Sequence, residues 1–345
     1  MTIELKIATQ KITEPGFYRL PERAYHADPC PVPSLSRSIA QTALSASLAH
    51  AKAMHPILGH YEDPDYSQAA ALGSCCHALA FGGFDELITV IDAADFRGKV
   101  AKTAREEAEA QGKTAILQPY YQTGLEMYAA LLQSLEDYNH PATNSLLDGG
   151  MAKERGHAEV TAVCMDANGI WLRSRLDWMH VADDRVTIID YKTTALSADP
   201  FTLGKTLFNQ DYHFQDAFYT RVITQLMPQI MQGNMAVDFL FLVQETKPPY
   251  EVSLARIDMA GQVIAAKKVS AAIRLWTQAI NENTFTGYPR RIVTADMPAW
   301  EETRWLEREV SDPRFEGLPP DRFMQAVPQI TDKTKRSPED ILRAG

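Results

Sequence analysis

The stretch WLRSRLDWMHVADDRVTIIDYKTT, residues 171–194, decides the fold class. Two β-type runs flank Asp183-Asp184, and such runs around a two-residue polar turn predict a β-hairpin. Asp177 and Asp190 each lie six residues out from that turn, so the hairpin sets them opposite one another. Strict alternation then puts both carboxylates side by side on one face, with Cβ atoms roughly 5 Å apart. Two like charges so placed repel, and a divalent cation between them removes the conflict; hard oxygen ligands predict Mg²⁺ or Mn²⁺. Lys192 stands two residues beyond Asp190 and shares its face. Tyr191 points the other way, yet its backbone carbonyl can still reach a metal. This D-x-K arrangement suits phosphodiester hydrolysis. The carboxylates fix a metal, the metal acidifies water and stabilises charge developing at phosphorus, and the lysine orients or activates that water. The bland reading is a solvated charged strand. Against it stand the apolar run before Asp190, which buries the strand, and Asp177 at hairpin distance. Arg173 and Arg175 fall on the face of Asp177 and are expected to clamp a DNA phosphate.

Outward from the hairpin, HAEVTAVCM (157–165) reads as a preceding strand, closed by the turn Asp166-Ala167-Asn168-Gly169. A helix is expected over about 211–227, then the strand VDFLFLVQET, then a helix near 260–282. Residues 1–150 read as mainly helical after an irregular start. Ser34 or Ser36 caps a helix running to about Met54, and further helices cover Gln68–Phe81, 99–111 and 119–138. Residues 151–285 carry the core, and 286–345 form a Pro-rich, charged tail read as irregular or helical. The fold class is therefore α/β, a central mixed sheet flanked by helices with a helical N-terminal region, all in one continuous globular domain.

Composition excludes more than it selects. The chain has 345 residues, 45% of them hydrophobic, enough for one large domain or two small ones. No run approaches the roughly 18 apolar residues of a membrane helix, and no apolar leader opens the chain, so a cytoplasmic location is expected. Cys30, Cys75, Cys76 and Cys164 contain no C-x-x-C pair and read as buried, reduced thiols. A net charge of −10 argues against a protein that coats nucleic acid, but not against an enzyme with a local basic groove. Arg97, Lys99, Lys102 and Arg105 are diluted by Glu106, Glu107 and Glu109 and read as a solvated helix face.

Taken together, the ordered motifs resemble the PD-(D/E)XK nuclease superfamily, specifically RecE-like exonucleases (exodeoxyribonuclease VIII type) of phages and prophages. YHADPCPVPSLSRSIAQTALSASLAHAKAM, ALGSCCHALAF, HAEVTAV, LDWM, IIDYKTT and HFQDAFY follow in the family's order, from about Tyr25 to Glu245. The resemblance implies a restriction-endonuclease-like core in which His77, from the helical region, joins Asp177 and Asp190 as a metal ligand, with Lys192 catalytic. It also implies that Gln215 and Tyr219, a Q-x-x-x-Y pair sharing one helix face, contact the DNA backbone or support the site, and that Glu159 is an accessory carboxylate. The implied activity is metal-dependent 5′-to-3′ resection of double-stranded DNA ends, leaving 3′ overhangs. The implied partners are a single-strand annealing protein and further copies of the chain in a ring, with no membrane. The rival readings are a related endonuclease or single-strand nuclease, and a decayed nuclease fold serving as a DNA-binding scaffold.

Overall fold

The computed structural model describes residues 3–8, 11–59, 66–147 and 156–315. The first unit, Met1–Tyr288, is built on a mixed sheet. Its elements begin with β1 (Leu5–Ile7), β2 (Gly16–Arg19), α1 (Glu22–His26), β3 (Leu35–Ser36), α2 (Arg37–Ser45) and α3 (Leu48–Ala53). Next come α4 (Gln68–Phe81), α5 (Phe84–Leu87), β4 (Ile88–Ile91), α6 (Lys99–Ala110), β5 (Thr114–Leu117), α7 (Gln118–Tyr138) and α8 (Pro141–Leu147). The core strands β6 (Gly156–Met165), β7 (Trp171–Val181) and β8 (Arg185–Thr194) follow. After them come α9 (Leu203–Asn209), α10 (Tyr212–Leu226), α11 (Pro228–Met231), β9 (Ala236–Glu245), β10 (Val252–Ala255) and α12 (Met259–Glu282). The sheet order is β1-β2-β6-β7-β8-β9-β10, with β3 paired to β7 and the parallel pair β4-β5 standing apart.

The sheet is covered on both faces, which explains why β8 and β9 carry continuous apolar runs rather than a clean alternation. One layer packs α2, α3, α10 and α12 around Phe214, Phe218, Phe239, Phe241 and Trp276. The other packs α4, α7 and α8 around Met127, Leu131, Leu135, Trp178 and Tyr191. The four cysteines are all free and buried, and burial pushes the Cys75 thiol up to about 12.

The region 1–150, expected to be mainly helical, also contributes β1–β5, and local caps set its helix boundaries. The run to Met54 is two helices, because Ser47 caps α3 by accepting the His50 N–H and so ends α2. Ser36, not Ser34, precedes α2; Ser34 is instead bound to Asp28. The tail contains a helix, α13 (Ala299–Ser311), in the second unit, Pro289–Gly345. There Trp305 packs on Phe315, which also lies under the Arg308 guanidinium.

The N-terminal segment is fastened to β7 by a buried charge network. Asp28 accepts hydrogen bonds from the Ser34 N–H (2.8 Å) and Ser34 Oγ (2.7 Å). His55 Nε2 and Arg173 Nη1 both lie 3.3 Å from its Oδ2. Burial alone would raise the Asp28 carboxyl, but His55, Arg173 and Ser34 outweigh it and hold it at about 2. Removing one partner of such a pair strands the other charge in a low dielectric. Asp28→Ala is therefore expected to cost about 3–5 kcal/mol in denaturant unfolding. Arg173→Met should cost much less when added to Asp28→Ala than when made alone; simple additivity would mean the two side chains do not act as a pair.

Candidate active site and metal centre

The β7–β8 hairpin has the expected register. Trp178 pairs with Ile189 and Val181 with Val186, and Ala182 donates its N–H to the Arg185 carbonyl (2.8 Å) across Asp183-Asp184. The ladder stops one pair short of Asp177 and Asp190. Beyond it the alternation of β7 breaks. Leu172 and Leu176 pack in the same layer as Met179 and Val181, which strict alternation from Leu176 to Met179 forbids. Asp177 therefore does not stand beside Asp190 on one face, as the hairpin reading expected. Its carboxylate turns into the gap between the strands, where Oδ2 accepts the Tyr191 N–H at 2.9 Å.

The adjacent strand breaks at the same level. Glu159 of β6 has φ 53°, a left-handed backbone costing about 1–3 kcal/mol for a non-glycine residue. Ala158 consequently packs toward the α4–α7 layer while Val160 enters the opposite one. The kink carries the Glu159 carboxylate toward Asp177, and Arg175 Nε pairs with its Oε2 at 2.8 Å.

His77 arrives from α4. Gly73, one turn earlier, lies so close to β8 that a Cβ there would stand 3.3 Å from Thr193 Oγ1. That approach sets His77 Nε2 3.0 Å from the Tyr191 carbonyl. A carbonyl oxygen only accepts, so Nε2 carries the proton and a neutral ring offers its lone pair at Nδ1. Nδ1 lies 3.7 Å from Asp177 Oδ2, beyond hydrogen-bonding distance and near the separation of two ligands around one cation. Ligand atoms of His77, Glu159 and Asp177 all fall within 4.8 Å of one another. This nitrogen-and-carboxylate set fits a divalent cation such as Mn²⁺ or Mg²⁺, with His77 oriented by its outer hydrogen bond as metal-binding imidazoles usually are.

Asp190 lies outside that cluster. It is buried on the face toward α10, where Gln215 Nε2 donates to Oδ1 and Lys192 Nζ pairs with Oδ2. Burial raises the Asp190 carboxyl; Lys192 opposes this and Asp177 adds to it. Burial disfavours the Lys192 ammonium, but Asp190 and Asp177 prevail and raise its pKa, so the lysine is charged at neutral pH. Its Nζ sits 5.3 Å from the Tyr212 ring centre. Tyr219 is on the same buried face as Gln215, packed edge-on to Phe239, and burial raises its phenol, with Asp190 and Asp177 contributing.

Of the ten residues expected at the site, Arg173 is not available to DNA. Only 2% exposed, it bonds Ser34 and Asp28, and its guanidinium lies 5.5 Å from the Tyr25 ring. The N-terminal segment covers the face on which the hairpin reading left it open. Arg175 does reach the site, but against Glu159 and the Leu20 carbonyl (3.2 Å). The sequence reading missed Glu22 of α1. Its carboxyl is lowered first by a hydrogen bond with His26, against burial, and then by Arg175 and His77. Nothing in the local sequence around Pro21-Glu22 marks it, since a carboxylate after proline reads simply as a helix start.

This fold and site define the PD-(D/E)XK class: a mixed sheet whose forked central strands present acidic residues and a lysine. A family model described as a PDDEXK-like domain of unknown function (DUF3799) matches residues 38–290, and the chain belongs to that family. The crystal structure of a "Putative exonuclease" from Eubacterium rectale matches with TM-score 0.50 at 10% identity, over 83% of this chain and 98% of that one. At that identity the likeness concerns the fold. SSO0001 is more distant, with TM-score 0.23 at 13% identity over 66% of this chain and 84% of that one. No curated protein matches the chain in sequence.

Burial pushes the Glu159 carboxyl up from 4.5 to about 7; Arg175 opposes and Asp177 adds. The folded chain thus holds this proton more tightly than the unfolded chain. Stability of the metal-free protein falls as pH rises from about 4.5 through about 7, and the loss is complete above that. In EDTA, Glu159→Gln is expected to stabilise by on the order of 1–3 kcal/mol at pH 8 and to be nearly neutral at pH 4.5. Asp216, which burial raises to about 6, leaves a residual slope. Denaturant titrations across this range check the change; an unaltered slope would mean Glu159 is ionised at neutral pH.

Proposed function

We propose that the protein is a divalent-metal-dependent exodeoxyribonuclease acting on linear double-stranded DNA in the manner of RecE-like enzymes. The observation that carries this reading is the convergence of His77, Glu159 and Asp177 beside the buried Asp190–Lys192 pair. His77, Glu159 and Asp177 would hold the cation, with Asp190 available as a further carboxylate; the Tyr191 carbonyl, expected as a ligand, instead accepts from His77 Nε2 on the far side of the ring and orients it. When bound, the cation lowers the pKa of water and neutralises charge on the phosphate.

The chain's own residues supply the rest. Lys192, kept protonated by Asp190 and Asp177, donates to a phosphoryl oxygen or orients the attacking water, and does not serve as general base. Gln215 fixes the Asp190 carboxylate through its amide, so it positions rather than reacts. Tyr219 supports the same face from one turn away. Arg175 balances Glu159 and restrains its orientation. The RecE-like resemblance adds 5′-to-3′ polarity, 3′ overhangs for phage-type recombination, a single-strand annealing partner and assembly into a ring.

A linear duplex labelled separately at its 5′ and 3′ ends provides the test, with Mg²⁺ or Mn²⁺, with EDTA, and beside a closed circle of the same sequence. Early release of the 5′ label from the linear form alone, abolished by EDTA, is the expected result. Asp190→Ala and Lys192→Ala should each lower the rate by about 10²–10⁴-fold, compared at a temperature where each variant is folded, because breaking this buried pair also destabilises. Cutting of the circle would replace the exonuclease with an endonuclease. Intact DNA under both metals would leave a DNA-binding scaffold, and full activity in Asp190→Ala would displace the chemistry from this site.

A further inference from the structure

A cavity of about 630 Å³ opens between the sheet and helices α4, α7 and α8. Its position is set by the candidate metal centre, because each triad residue has a close chain neighbour in its wall. Phe81 lies one helical turn beyond His77, Ala158 directly precedes Glu159, and Trp178 directly follows Asp177. The cavity meets the metal centre at one wall, where the Phe81 ring lies 5.6 Å from the His77 ring.

The walls are chosen for a flat, uncharged body. The Phe81 and Trp178 rings lie within 21° of parallel, their centres 6.4 Å apart. Trp178 lies flat over the sheet because its neighbour is a glycine: a Cβ at Gly156 would come within 2.4 Å of the indole. The Trp178 Nε1–H is committed to Ser145 Oγ at 3.1 Å, and its buried ring backs Phe81 rather than offering a hydrogen bond. Beyond Phe81 the chain leaves α4 through Gly82 and Gly83, at φ 90° and 84°, and a Cβ at Gly82 would meet nothing within 4 Å. Among the described lining residues the one charged side chain is a cation, Arg19, although carboxylates crowd the triad next door.

We propose that this cavity receives the nucleobase of a nucleotide flanking the scissile phosphate, released from its pair and stacked against Phe81, with Arg19 at the mouth for a neighbouring phosphate. The inference rests on the nuclease reading. The volume is in the range of small-ligand pockets, roughly 300–1,000 Å³, and takes a purine or a pyrimidine. Stacking on apolar walls is blind to base identity, so the device would secure the strand end without sequence preference.

The test is single-turnover cleavage of linear duplexes, each with one abasic nucleotide at a successive position from the digested end. The wild-type protein should cut the bond beside one such position about 5- to 150-fold more slowly, the loss of one stacked base. An abasic nucleotide loosens pairing and would by itself speed fraying, so slowing is diagnostic. 2-Aminopurine at that position, dark while stacked in the free duplex, should brighten on binding to Asp190→Ala in Mg²⁺ as it leaves the base stack. Leu132→Trp, which fills the cavity away from the triad, should abolish the brightening and slow intact DNA to the abasic rate. Cleavage indifferent to abasic nucleotides at every position, or brightening unchanged when the Leu132→Trp change is added, overturns the cavity assignment and leaves the nuclease standing. Absence of any metal-dependent cleavage removes both.

Discussion

Tyr191 gives the site its peptide group rather than its side chain, and the arrangement depends on that. Its N–H is accepted by Asp177 and its carbonyl accepts from His77, so the backbone of one residue orients side chains from β7 and α4. A strand in a sheet normally spends both groups on its neighbours. Here the β7–β8 ladder ends at Trp178 and Ile189, and side chains take over the pairing. The buried side chain locks this peptide in place: the Tyr191 hydroxyl donates to Gln244 Oε1, and Gln244 Nε2 donates to the Met127 carbonyl at 2.8 Å. β8 stays paired with β9 from Arg185 to Thr194, so the opening affects only its β7 side.

Opening the fork has a cost, borne by β6 and β3. Glu159 adopts a left-handed backbone where the sheet would prefer an extended one, and it brings a second carboxylate against Asp177. Such strain and like-charge crowding destabilise the apo fold and persist because the surroundings over-determine them. β6 and β7 pair on both sides of the kink, from Gly156 to Ala158 and from Val160 to Met165, so Glu159 cannot relax without shifting the sheet. On the other edge of β7, β3 pairs at Leu172 and Arg173 and occupies the place that β8 has left. The Asp28–Arg173–His55 network holds that segment down, which makes Arg173 a structural cation rather than a hand for DNA.

The extent to which the sequence disclosed this follows from the same physics. Register depends on a two-residue turn and a period of two, both local, so the pairing of Trp178–Val181 with Val186–Ile189 could be read directly. Asp190 and Lys192 keep the facing that this period assigns. The alternation of β7 and β6 breaks at Asp177 and Glu159, and no residue type there announces it; both are ordinary acids in otherwise β-type runs. His77 was legible only through family resemblance, because one histidine in an apolar helix carries no periodic signal. Arg173, Glu22 and the brief strand β3 depend on contacts more than a hundred residues apart or on two-residue pairing, and the helical part of the tail was expected without bounds because it has no buried residue to mark them.

The electrostatics of the site reconcile an acidic protein with a polyanionic substrate. The chain carries a net charge of −10, and Glu159, Asp177 and Asp190 concentrate negative charge where a phosphate would have to sit. Two cations oppose them from within, Arg175 on Glu159 and Lys192 on Asp190, and each is already paired. A phosphate approaching this set without a divalent ion meets unbalanced carboxylates, and the proton that Glu159 keeps to about 7 offsets that repulsion only in part. A bound cation reverses the sign of the local field and draws the Glu159 proton off. On the proposed reading, the metal would therefore be a condition for substrate binding as well as for chemistry.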